Sequence, residues 1–378
     1  VSQGARPQVQ AGLEGVVAAA SAISFVDGQE GRLLYRGYDI HDLAEHSTFE
    51  EVVYLLWHGE LPTRAQLTAL RRELGEARAL PDGALRVLRV LPADADPMDA
   101  LRTATSALGA LDPDGRAPAG EAARRIAGRL VAQFPTVVAA FHRLRQGLDP
   151  VAPTPTRGHA ADFLAMLFGR EPEPELARAM DVALILHADH ELNASTFAAR
   201  VTAATLSDMY AAVTSAVGTL KGPLHGGANE EVMRVLQEIG RLERVREVVH
   251  AKLERKEKIP GFGHRVYRTE DPRVRHLRRL ARELGARAGD LTWFELTRAL
   301  EEVVREEKGL YPNVDLYSAA TYHAMGIPMD LFTSVFAVSR ISGWTAHVLE
   351  QYGDNRLIRP RAEYIGPQRR AYVPLDLR

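Results

Sequence analysis

The chain has 378 residues, 46% hydrophobic and 25% charged, with no cysteine and a net charge of −2. That length leaves room for two domains, since single cores stop growing near roughly 250–300 residues. Near-neutral charge argues against nucleic acid or anionic membrane as partner, no apolar run reaches the roughly 18–20 residues of a spanning helix, and thiol or disulfide chemistry is excluded. The apolar stretch Val16–Ile23 is short and lacks a basic leader. With no export signal in view, cytoplasm is the expected compartment.

Residues 1–40 show β-like alternation on either side of Asp27-Gly28, as in Ile23–Val26 and Leu33–Tyr35, which predicts a small hairpin or extended arm. Helix signals then take over. Ser47-Thr48-Phe49-Glu50 reads as a capping box opening a helix that stops at Gly59, and Thr63 with Gln66 repeats the device. Asp96-Pro97 places an N-cap and an N1 proline ahead of Met98–Leu111. Glu121–Gly147 is a longer helical stretch with Pro135 as a kink or break, and the Pro/Thr-rich Gly147–Gly158 is a connector.

Helices are expected next over Ala177–Leu186 and Ser195–Val217, the second rich in small residues that allow close packing within the chain or across a dimer. Glu230–Ile239, Leu242–Glu257, a helix opening at Asp271-Pro272, Leu291–Lys308, Val314–Met325 and Met329–Tyr352 follow, with an irregular tail from Gly353. The pattern predicts a mostly α protein. A smaller domain over residues 218–326 is inserted in a larger one made of 1–217 and 327–378.

Three histidines sit at turns or helix ends. His190 lies in HADHELN, where His187 and His190 share a helical face beside Asp189 and Glu191. That set admits a metal site, although the HExxH arrangement is missing; binding of a polar substrate through His190 and Asn193 is the other reading. His225 lies in LKGPLHGGANEE, on a Gly-walled turn entering a helix N-terminus, a position that favours a neutral imidazole. His264 follows the Pro260-Gly261-Phe262-Gly263 turn. Either could equally be an ordinary loop histidine.

Arg273 falls in the first turn of the helix expected after Asp271, where a cation opposes the helix dipole unless a ligand or a carboxylate lies beside it. Asp315 falls in a first turn where an acid is stabilised in any case; in a dry pocket it would serve as a base. Arg340 is in register with Phe336 and Trp344, so it is partly buried and calls for an acceptor, best a bidentate carboxylate. Arg356, Arg359 and Arg361 crowd the tail, either as a solvated basic segment or as an arm that donates an arginine to a site. Without a Walker loop, a GxGxxG or a Ser–His elbow, this set suits a carboxylate-bearing substrate and proton chemistry next to a carbonyl.

In order along the chain, HADHELNAST, LKGPLHGGAN, PGFGHRVYRTEDPR, PNVDLYSA and the SRISGWTAH helix with its RPRAEY tail resemble citrate synthase. GLEGV, LLYRGYDI and LWHGELPT extend the resemblance over nearly the whole chain. It implies an all-α homodimer with a shared active site, whose large and small domains close on substrate. It also implies condensation of acetyl-CoA with oxaloacetate, followed by hydrolysis of citryl-CoA. By the same resemblance Asp315 is the base, His225 stabilises the enol, and His264 polarises the oxaloacetate carbonyl. His190, Asn193, Arg273, Phe336 and Arg340 would bind oxaloacetate, with Arg359 (or Arg361) reaching in from the other subunit. Arg268, Lys258 and Lys308 would face CoA, and no metal or further cofactor is implied. The alternatives are 2-methylcitrate synthase, using propionyl-CoA, and a metallohydrolase built on His187, Asp189 and His190.

Overall fold

The computed structural model describes residues 9–115 and 120–378. Its strands form one small sheet: β1 (Ser24–Asp27), β2 (Arg32–Tyr35) and β3 (Tyr38–Asp39), antiparallel in that order, with Ser24 opposite Tyr35 and Asp27 opposite Arg32. This is the expected hairpin. Among the described residues, every named element after it is a helix.

Side-chain caps set most of the early helix starts. Asp39 accepts the His41 N–H to open α1 (Ile40–His46). Thr48 and Glu51 form the capping box of α2 (Phe49–His58), one residue later than the Ser47–Glu50 box expected. Glu50 is instead buried and accepts the His159 N–H at 3.0 Å. Thr63 and Gln66 close the box of α3 (Arg64–Ala77), and Asp96 caps α5 (Pro97–Leu111) after α4 (Asp82–Val90). Helix α6 (Gly120–Arg145) runs through Pro135 without a break; the residues around that proline are buried, so packing outweighs one lost backbone bond.

After α7 (His159–Phe168) and α8 (Pro174–His187), the single helix expected over Ser195–Val217 is two: α9 (Ala194–Ala203) and α10 (Met209–Leu220). The chain turns at Leu206, whose φ is 63°, and Asp208 then recaps by accepting the Ala211 N–H. Five further helices follow: α11 (Ala228–Ile239), α12 (Val245–Glu254), α13 (Val274–Ala288), α14 (Thr292–Lys308) and α15 (Val314–Ala324). These pack chiefly on one another. The last helix, α16 (Phe332–Gly353), packs against α2, α6, α8, α9 and α10 and also meets α11. Every residue from Phe332 to Val348 is buried, as befits a helix surrounded on all sides. Its Gly343 is needed for contact: a Cβ there would fall 2.4 Å from the Ala188 carbonyl oxygen. No helix among the described residues is long and apolar enough to cross a membrane.

Candidate active site

His225 is carried by the turn between α10 and α11. Gly226 closes that turn by donating its N–H to the Leu220 carbonyl at 2.9 Å, and a Cβ on Gly226 would collide with Leu220 at 2.6 Å. The ring Nε2 lies 2.7 Å from Ser195 Oγ and accepts the Ser195 backbone N–H at 3.3 Å. A backbone amide can only donate, so Nε2 is the bare nitrogen and Nδ1 carries the proton. The Ser195 hydroxyl donates its one proton to Nε2, accepts from Trp344 Nε1 at 3.1 Å, and lies 2.8 Å from Asn193 Oδ1. Burial and then the positive charge of Arg340 lower the His225 pKa to about 4. The imidazole is neutral, as the turn suggested, but burial rather than the helix end is the principal cause.

His264 has the opposite tautomer. Gly261 and Gly263, at φ 85° and 72°, shape its turn, which is tied to the start of α15 through Gly263 N–H on Tyr311 O and Asn313 N–H on Gly261 O, each 2.9 Å. Its Nδ1 accepts the N–H groups of Val266 and Tyr267 at 3.0 and 3.1 Å, which leaves the proton on Nε2. Burial, then Arg273, lower its pKa to about 4. The His190 ring stands edge-on to it at 5.1 Å, and its Nε2 meets the Tyr267 hydroxyl at 3.2 Å. His190 is itself buried and its pKa is well below the ordinary value.

Two cations and one acid complete the set. Helix α13 begins at Val274, not at Pro272, and Arg273 is its N-cap rather than a first-turn residue. The anion that relieves Arg273 is a neighbour: Nε and Nη2 pair with the two oxygens of Asp271 at 2.9 and 2.7 Å. Asp271 also accepts the Val314 N–H at 3.2 Å, which ties the head of α13 to that of α15. Arg340 lies over the Phe336 ring at 4.7 Å and donates Nε–H to the His187 carbonyl at 2.8 Å. Among the described residues no carboxylate pairs with it, and burial lowers its pKa to about 10. Asp315 sits just inside α15 behind the Asn313 cap, where the helix end should lower its pKa. Burial outweighs that, together with the attraction of Arg273 and Arg340, and pushes the carboxyl up to about 7.

His190, Asn193, His225, His264, Arg273, Asp315, Phe336 and Arg340 line one cavity of about 120 Å³, with Asn313 and Val314. A cleft of about 880 Å³ shares His225, Asn313 and Asp315 with it and contains Lys252, Lys258 and Lys308. The acid and one histidine therefore face both a small polar chamber and a large open groove. Arg268 is exposed and lines neither space, and Arg359 lies on the exposed tail. The metallohydrolase set does not assemble. Asp189 is turned to Ser24 and His347, His187 Nδ1 meets the Ala183 carbonyl, and no group of three or more His, Asp or Glu is placed to hold a metal among the described residues. Sequence reading missed Ser195, Tyr267, Asp271 and Asn313. Only the last two carry a local signal, as Asx residues two positions ahead of Arg273 and Asp315.

A family model described as "Citrate synthase, C-terminal domain" matches residues 12–361. The chain belongs to the citrate synthase family. It is 52% identical to citrate synthase 2 of Bacillus subtilis over 97% of this chain and 98% of that one. It is also 46% identical to the 2-methylcitrate synthase of Shewanella oneidensis, over 97% of each. Among solved structures, the ternary complex of Thermoplasma acidophilum citrate synthase with carboxymethyl coenzyme A and oxaloacetate superposes with a TM-score of 0.94. That match has 34% identity and covers 98% of this chain and 99% of that one. The mostly α pattern and the all-α fold implied by the resemblance agree with the family's fold, and the chain is a citrate synthase-type enzyme.

Proposed function

We propose that this enzyme condenses acetyl-CoA with oxaloacetate and hydrolyses the resulting citryl-CoA to citrate and CoA. The observation that carries this reading is the chamber in which an unpaired Arg340, Arg273, two neutral histidines of opposite tautomer and Asp315 converge. Oxaloacetate is a dianion with a ketone, and acetyl-CoA is a thioester with a weakly acidic methyl group. Each needs what the chamber holds.

In the proposed sequence Asp315 takes a methyl proton, and the electron pair moves onto the thioester oxygen. His225 donates Nδ1–H to that oxygen, a role open to it because Nε2 is spent on Ser195. The enol carbon then attacks the oxaloacetate carbonyl carbon. A carbon–carbon bond forms, and the new alkoxide is met by His264 Nε2–H. Water finally cleaves the thioester and CoA leaves as the thiol. Arg273, Arg340, His190 and Asn193 bind the oxaloacetate groups, with Phe336 stacked beneath Arg340. A base with a pKa near 7 is suited to a carbon acid because its proton affinity is raised while a large fraction stays ionised at neutral pH.

Lys258 and Lys308, which line the large cleft, are assigned to CoA; Arg268 is added on the resemblance alone. We assign no metal or resident cofactor. A homodimer with Arg359 supplied in trans is part of the proposal, supported by the exposed tail and by apolar side chains there such as Ile365, 92% exposed. Residues 218–326 are proposed as the domain that closes, and the cytoplasm as the compartment.

The 46% identity with a 2-methylcitrate synthase favours a second reading, in which propionyl-CoA is the better donor. One methylene discriminates by only about 1–3 kcal/mol. Comparing kcat/KM for the two thioesters, with oxaloacetate present and free thiol detected, tests the choice. A ratio of at least about tenfold toward acetyl-CoA is expected, and a preference for propionyl-CoA would contradict it.

A further inference from the structure

The N-terminal hairpin lines neither cavity, yet it grips two of the three loops that carry histidines into the smaller one, those of His190 and His264. The outer edge of β1 meets the turn around His190. Ser24 Oγ donates to Asp189 Oδ2 and accepts the Glu191 N–H at 2.9 Å, while the Val26 N–H donates to the Glu191 carboxylate at 2.8 Å. Glu191 has φ 49°, a left-handed conformation that side-chain-bearing residues disfavour and that persists where the surroundings impose it. On β2, the Tyr35 hydroxyl meets both backbone groups of Asp189, accepting its N–H at 3.2 Å and approaching its carbonyl at 3.0 Å. His190 is thus fixed through the residue on each side of it.

The hairpin's tip presses on the other loop. Gly28 accepts the Arg268 N–H at 2.8 Å, and a Cβ on Gly28 would fall 2.2 Å from the Val266 carbonyl oxygen. A Cβ on Gly31 would fall 2.6 Å from Thr269 Oγ1. Val266 is one of the two residues whose amides hold the His264 tautomer. One short hairpin therefore sets the backbone of His190 at its edge and that of His264 at its tip. The two loops belong to stretches of chain about seventy residues apart, and the rings they present meet face to edge.

We propose that this hairpin is a strap that fixes His190 against His264, with Ser24 and Glu191 as positioning residues of the oxaloacetate chamber. The inference rests on the citrate synthase reading of that chamber. A bond network one shell removed acts on affinity by keeping the contacting groups within a fraction of an ångström of their binding geometry.

The test is calorimetric titration of the full chain with oxaloacetate alone, alongside Tm. Ser24→Ala is expected to weaken oxaloacetate about tenfold by loosening the His190 turn, and Ser24→Thr to recover most of that loss by keeping the hydroxyl. Gly28→Ala, acting from the opposite end through Val266, is expected to weaken binding to a similar extent. Oxaloacetate affinity equal to wild type in both Ser24→Ala and Gly28→Ala would overturn the strap, whether or not Tm falls. A wild-type chain that binds no oxaloacetate would overturn the reading beneath it, an outcome distinct from variants that bind as well as wild type.

Discussion

At the scale of single residues, the site is built from groups held away from their ordinary charge states. His225 and His264, each near pKa 4, are neutral donors throughout the physiological range. Asp315, near 7, is the group whose titration should govern rate. Activity on acetyl-CoA is expected to rise with pH through a midpoint near 7 in kcat/KM; a profile flat from pH 5.5 to 8.5 would remove Asp315 from the role of base. The same displacement bears on stability. The folded-state pKa of Asp315 lies above the unfolded value of 3.8, so the folded chain holds the extra proton between the two. Stability from this group falls as pH rises through that window. Asp315→Asn should therefore stabilise the fold by about 1–2 kcal/mol at pH 8, with the gain shrinking toward pH 4. Thermal melts of both chains at the two pH values check this, and an equal or opposite difference at pH 8 would contradict it.

The residues themselves were legible in the sequence because each stands beside a turn or cap signal. Gly226-Gly227 and Gly261-Phe262-Gly263 put His225 and His264 on turns, and Asp315 falls at a helix start, but only the resemblance assigned them roles. What could not be read was the reason for their protonation. The partner of His225 is Ser195, thirty residues upstream, and Ser195 offers no local pattern that announces the contact. The helix end suggested a lowered pKa for Asp315, and burial reversed it.

At the scale of elements, the decisive contact is between α16 and the turn after α8. Arg340 reaches the chamber only because the backbone at Gly343 lies against Ala188 and Asp189. The Gly343 N–H donates to the Ala188 carbonyl at 3.1 Å although it belongs to a helix. Gly343→Ala would improve helix propensity by about 1 kcal/mol in isolation. The clash at 2.4 Å with the Ala188 carbonyl oxygen should dominate, and a net loss of about 1–3 kcal/mol is expected from overpacking. Chemical denaturation measures this; unchanged or increased stability would show that the two elements can separate without cost. Capping chemistry foretold the starts of α3 and α5 to the residue and of α2 to within one. It failed at α13, which starts behind an Asp–Arg pair, and at the α9–α10 break, where one left-handed leucine precedes the Asp208 cap.

At the scale of the whole molecule, helices α11 to α15 pack chiefly together and present His264, Arg273 and Asp315, while the remaining helices present His190 and Arg340. Substrate between them would bind both groups at once, which supports the proposed closure. The exposed tail bearing Arg359 suggests that the chamber is completed by a second copy. If so, Arg359→Ala and Asp315→Asn chains, each inactive alone, should regain activity on mixing and subunit exchange. Half of the dimers would be mixed, each with one intact site of two, giving about a quarter of the wild-type rate. Mixed dimers without regained activity would contradict a shared site. From sequence alone the mostly helical character and the order of motifs were readable; α1, α4, α7 and the division of α9 from α10 were not, nor was the way α16 threads between the groups, because its Ser, Thr, His and Arg residues disguise a helix buried from Phe332 to Val348.

The most direct measurement is release of free thiol from acetyl-CoA, with and without oxaloacetate, by the wild-type chain and by Asp315→Asn, beside calorimetric oxaloacetate binding. Thiol release by wild type that requires oxaloacetate is expected, with a loss of about a hundredfold or more in Asp315→Asn, the scale of general-base catalysis, and oxaloacetate binding retained. Thiol release that does not depend on oxaloacetate, or that survives in Asp315→Asn, would contradict the account.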